Sequence, residues 1–78
     1  MSRDLKQTER EIAEAARCAV KWRMLQKEAF QVARAMADPE ARRHMRFISD
    51  GYQLLAERAE ERRERLAANS RHLKRPET

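Results

Sequence analysis

Cys18, His44 and His72 are the side chains best able to serve as nucleophile, general base or soft metal ligand, and their spacing sets up none of these roles. No two of them stand three or four residues apart, the offset that places two ligands on one helix face. Cys18 is the single cysteine, so an intrachain disulfide is ruled out, and the residue reads as a small apolar side chain in a reducing compartment. Carboxylates are plentiful, but each lies among Arg or Lys at helical spacing. Glu57, Glu60, Glu61 and Glu64 beside Arg58, Arg62, Arg63 and Arg65 describe an ion-paired, solvated face. There is no nucleophile paired with a base and no Gly-rich phosphate loop. The sequence therefore predicts a protein that is not an enzyme, with no catalytic residues, no metal and no cofactor.

What the residues do offer is recognition by charge. From Lys21 to Arg46 the cations are Lys21, Arg23, Lys27, Arg34, Arg42, Arg43 and Arg46, against Glu28, Asp38 and Glu40, a local net charge of +4 within a formal +5. Arg71, Lys74 and Arg75 add a second basic patch near the C-terminus. A basic pole of this kind meets either an acidic protein surface or nucleic acid phosphates. Helix-turn-helix DNA readers use shorter helices and a turn of a different kind, and no Asn/Gln-and-Arg cluster suggests base reading. An unidentified, acidic protein partner is the first expectation and nucleic acid the alternative.

The elements that must position this pole are helices. In 78 residues there is one Gly and two Pro, and 40% of the chain is charged, so turns are scarce and the core is thin. Ala15, Cys18, Trp22, Leu25, Ala29, Val32 and Met36 alternate steps of three and four, as do Ala41, Met45, Ile48, Tyr52, Leu55 and Ala59. Between the two runs stands Asp38-Pro39, an N-cap followed by a residue suited to the first helical position. Folding back there pairs Val32 with Met45, Ala29 with Ile48, Leu25 with Tyr52 and Trp22 with Leu55. The expected fold is all-α, an antiparallel helical hairpin of two long helices joined at Asp38-Pro39.

Boundary signals are weaker. Ser2, or Thr8 with Glu11 in a capping box, opens the first helix. Ser49-Asp50-Gly51 is a possible fault in the second, although the stripe runs through it in phase. Asn69 is the expected C-terminal cap, giving a hairpin domain over 1–68 and a flexible basic tail over 69–78. Glu9, Glu11 and Glu14 are expected opposite Arg62, Arg63 and Arg65 at the open end.

The turn Asp38-Pro39-Glu40-Ala41-Arg42 and the run Tyr52-Gln53-Leu54-Leu55-Ala56-Glu57-Arg58-Ala59-Glu60 resemble the D-P-x-x-R turn and Y-x-x-L-A-E-x-A-E helix of short uncharacterised helical proteins of alphaproteobacteria. The resemblance covers about the second half of the chain. It implies a helical fold in a bacterial cytoplasm, and no mechanism.

Ile12, Ala19, Phe30 and Ala33 lie off the first stripe, and Phe47 and Leu54 off the second. A lone hairpin leaves them wet, so a second copy completing a four-helix bundle is expected, with Ile12, Phe30, Phe47 and Leu54 at the self-association surface. Val20 and Met24 form a further apolar surface for a partner. Burial of Phe30, Phe47 and Leu54 in a larger assembly is a third possibility. No apolar stretch serves as a secretion signal or membrane span, which points to the cytoplasm. The expected function is a small regulatory or adaptor protein that binds another protein.

Overall fold

The computed structural model describes residues 5–74, with side chains as far as Arg71. Two helices, α1 (Leu5–Ala35) and α2 (Pro39–Lys74), pack against each other along their length, and no strand occurs among the described residues. Both segments are rich in Ala, Leu, Glu, Lys, Gln and Arg, the residues that lose least on entering a helix. The particle is a rod of 63 × 18 × 15 Å with a radius of gyration of 17.8 Å. A compact domain of this length has a radius near 11–12 Å.

The turn forms as its residues dictate. The Ala41 amide donates to Asp38 Oδ2 at 3.3 Å, and the Arg42 amide donates to the Asp38 carbonyl at 2.9 Å, opening α2 on an N-cap. The preceding helix closes with the Met36 amide on the Ala33 carbonyl at 3.3 Å. The Arg42 guanidinium then reaches back and donates to the Met36 carbonyl from Nε at 3.2 Å and Nη2 at 2.7 Å. A cation thus satisfies a carbonyl at the negative end of α1.

The other boundaries differ from the sequence reading. Thr8 lies inside α1 and is 2% exposed, so it is not the N-cap; Ser2 falls outside the described residues. Helix α2 continues through Gly51 without a break and past Asn69 to Lys74, with Ser70 buried. The hairpin therefore extends beyond the expected limit at residue 68. Arg75 and Pro76 lie outside the described residues, as do the side chains of His72 and Lys74.

The seam is rotated by one residue from the expected stripes. On α1 the buried and half-buried residues Thr8, Ile12, Ala15, Ala19, Trp22, Gln26, Ala29 and Ala33, continued by Met36 just past its end, alternate steps of four and three. On α2 the corresponding set is Met45, Ser49, Tyr52, Ala56 and Ala59, then Leu66 and Ser70. Cys18, Leu25 and Val32 are thus replaced by Ala19, Gln26 and Ala33, and Ile48 and Leu55 by Ser49 and Ala56. The physical reason is size: small side chains let the two backbones approach closely. Ser49 Oγ donates directly to the Gln26 carbonyl across the pair at 3.1 Å, a bond possible only when the helices nearly touch. The aromatic pairing shifts accordingly. Trp22 stacks on Tyr52, ring centres 5.8 Å apart at 22°, where the stripes had assigned Trp22 to Leu55 and Leu25 to Tyr52.

Candidate interaction surface

Centring small residues on the seam decides what is left outside it. Two flanks result, because the helices are antiparallel and each has one row of side chains on either side of the contact.

The first flank comprises the residues one position before the seam: Cys18, Leu25 and Val32 on α1, Ile48 and Leu55 on α2. Leu25 is half-buried, while Val32, Ile48 and Leu55 are exposed, as is Cys18. Phe47 and Leu54, farther out on α2, are 79% and 57% exposed. Lys21 leans over Trp22, its Nζ 5.4 Å from the ring centre. From Cys18 to the turn this flank is an apolar ridge.

The second flank comprises the residues one position after the seam, Arg23 and Phe30 on α1 with Arg46, Gln53 and Glu60 on α2. Arg23 donates to Glu60 with two prongs, Nε to Oε2 at 3.0 Å and Nη2 to Oε1 at 2.8 Å. Its Nη1 donates to Gln26 Oε1 at 3.0 Å, and Gln26 Nε2 donates to Gln53 Oε1 at 3.4 Å. This chain of polar bonds crosses the hairpin at mid-length and fixes its register. The hydrogen bonds to Glu60 raise the Arg23 guanidinium above its ordinary value. Those same donors hold the Glu60 carboxyl below the usual carboxylate range, and desolvation opposes both shifts.

Open troughs run along this second flank. One is lined by Phe30, Ala33, Arg34, Arg42 and Arg46, and another by Val20, Met24 and Lys27 with Arg23 and Glu60. A third lies at the open end, between Ile12 and the Arg63–Arg71 stretch of α2. The structure therefore gathers Arg34, Arg42 and Arg46 around Phe30, and Lys27 beside Val20 and Met24. Lys21 stands apart against Trp22, and Arg43 is exposed outside both troughs. Two of the seven expected pole cations already hold intrachain bonds, Arg23 with Glu60 and Arg42 with the Met36 carbonyl.

The expected self-association residues do not form one surface. Ile12 is half-buried in the seam near the open end, and Phe30 sits on the cationic flank. Phe47 and Leu54 belong to the outer face of α2. Ala19 and Ala33, expected off the stripe, are 6% and 1% exposed and belong to the seam itself. Sequence reasoning missed Gln26, Ser49 and Gln53. The signal available was the i, i+4 spacing of Ala15–Ala19 and Ala29–Ala33, which marks a helix face built for close approach.

Among the described residues no three of His, Cys, Asp and Glu gather where a metal ion could be held, and no helix is long and apolar enough to cross a membrane. No protein-family model, curated protein or solved structure matches the chain. The arrangement can bind: an apolar ridge on one side, and troughs combining hydrophobic side chains with cations on the other.

Proposed function

We propose that this chain is a small, non-enzymatic regulatory or adaptor protein of the bacterial cytoplasm. It pairs with a second copy to form a four-helix bundle and offers its cationic flank to an acidic protein. One observation carries the reading: apart from Trp22, Tyr52, Met45, Ile12 and Leu66, most large apolar side chains lie outside the seam, divided between a flank with few charges and a flank rich in them. A buried Ala methyl contributes about 0.8 kcal/mol, whereas a Leu, Val or Phe that gains full burial contributes about 1.5–3 kcal/mol. The residues able to contribute most, among them Val20, Met24, Phe30, Phe47 and Leu54, are between 45% and 79% exposed. Partners supply that burial.

The trough at Phe30, Arg34 and Arg46 and that at Val20, Met24 and Lys27 suit a helix carrying both apolar and acidic residues. Nucleic acid is the second reading, and it is weakened because Arg23 and Arg42 are engaged within the chain. The test is titration at physiological salt with a labelled amphipathic peptide of alternating Leu- and Glu-bearing turns, and in parallel with mixed-sequence duplex DNA. The peptide is expected to bind, to be lost in the Arg34→Glu/Arg46→Glu variant, and to leave DNA unretained. Tight binding to unselected DNA, falling with salt at a log–log slope of about −0.9 per phosphate contacted, establishes the nucleic-acid reading instead.

A further inference from the structure

Gly51, the one glycine of the chain, sits in the interior of α2, where no turn, cap or positive φ calls for it. Glycine there weakens a helix relative to alanine, so its presence asks for a reason. A Cβ built at Gly51 meets nothing within 4 Å inside the hairpin, so intrachain packing is not that reason. The four neighbours that surround it on the helix surface, at i−4, i−3, i+3 and i+4, are Phe47, Ile48, Leu54 and Leu55. All four are exposed, at 79%, 43%, 57% and 38%. Gly51 is therefore the floor of a hole bounded by four large apolar side chains, and the hole faces away from α1.

We propose that this face of α2 is the contact with a second copy of the chain, the backbones crossing closely at Gly51, where the missing side chain leaves room for the approach. The inference rests on the self-association reading above and adds its location and geometry. Area supports a second copy as the occupant. The rod exposes 6664 Å², against roughly 5,000 Å² for a compact chain of its mass. A compact particle of twice that mass exposes about 8,200 Å², so two rods side by side can withdraw several thousand Å², with about 5,000 Å² in all as the ceiling that full compaction would set. Obligate homodimers bury areas of that order. Charge supports it as well, since Arg34, Arg42 and Arg46 lie on the other flank and two copies can meet without bringing those cations together. With the two-fold axis passing at Gly51, glycine stands opposite glycine, which permits the closest approach.

The test is sedimentation equilibrium of the wild type, Gly51→Ala, Gly51→Leu and Phe30→Ala, with thermal melts at a concentration low enough to hold monomers. In the monomer Gly51→Ala is expected to raise the melting temperature, because the helix gains and nothing is struck. In the dimer Gly51→Leu is expected to raise the dissociation constant by on the order of tenfold or more, from overpacking. Phe30→Ala, on the opposite flank, is expected to leave it unchanged. A wild type that dimerises with the same affinity after Gly51→Leu, or more tightly, overturns the location while leaving self-association standing. A wild type that stays monomeric at high micromolar concentration overturns both.

Discussion

Leu55 and Ala56 are adjacent, and the rotated seam gives them the reverse of the roles that their sizes suggest. Leu55 is 38% exposed on the apolar ridge, whereas Ala56 is 0% exposed between the helices. Leu55→Ala removes three carbons worth about 2.4 kcal/mol in full burial; with roughly three-fifths of the side chain out of water the loss is about 1–1.5 kcal/mol. No closed cavity adds to it, since the site opens to solvent. Ala56→Leu places three extra carbons where the backbones meet. Overpacking of this kind costs about 1–3 kcal/mol in an ordinary core. Here the helices must also separate along a seam of small residues, so a loss of about 3 kcal/mol is expected. For so small a domain that is a large share of the total stability. Urea unfolding followed by circular dichroism measures both, in a dilution series that removes any dimer contribution at Leu55. If Leu55→Ala costs the 2–5 kcal/mol of a full core truncation in dilute monomer and Ala56→Leu is tolerated, the seam is centred on the large residues and this reasoning fails.

Two further outcomes follow from the turn and the polar crossing. Asp38→Ala removes the acceptor of the Ala41 amide and is expected to lower stability by about 0.5–2 kcal/mol in thermal or urea melts, while Asp38→Asn is nearly neutral. Glu60 has a lowered pKa in the folded state, so its contribution is fully present above the unfolded carboxylate range and is lost as the pH falls through the folded value. The melting-temperature gap between wild type and Glu60→Gln is accordingly expected to be open above about pH 5 and to close in acid. A gap that widens toward low pH contradicts the Arg23–Glu60 assignment.

The hairpin itself was legible because its determinants are local. Asp38-Pro39 fixes the turn chemically, and two apolar runs of helical period on either side leave few other folds for so short a chain. The rotation of the seam was not legible, because Ala15, Trp22, Ala29, Met45, Tyr52 and Ala59 belong equally to a stripe completed by Cys18, Leu25 and Ile48 and to one completed by Ala19, Gln26 and Ser49. Hydrophobicity chooses the first, since it buries the larger side chains. Close backbone approach, with Ser49 on the Gln26 carbonyl and Arg23 bridging to Glu60, chooses the second, and such distances between segments are invisible in composition and period. The caps at Thr8 and Asn69 failed for a related reason: helix ends are set by where packing stops, and the partner helix carries both segments past their local stop signals. The basic pole was legible in total charge. Its division, with Arg42 capping α1 and Arg23 paired across the hairpin, required the fold.

Small-angle scattering in line with size separation tests most directly whether the exposed apolar ridge exists to be covered by a second copy. Side-by-side association gives twice the 9.3 kDa chain mass with a maximum dimension well short of twice the 63 Å rod. A single-chain mass with a radius of gyration near 17.8 Å, unchanged as concentration rises, contradicts it, and so does a doubled mass at doubled length.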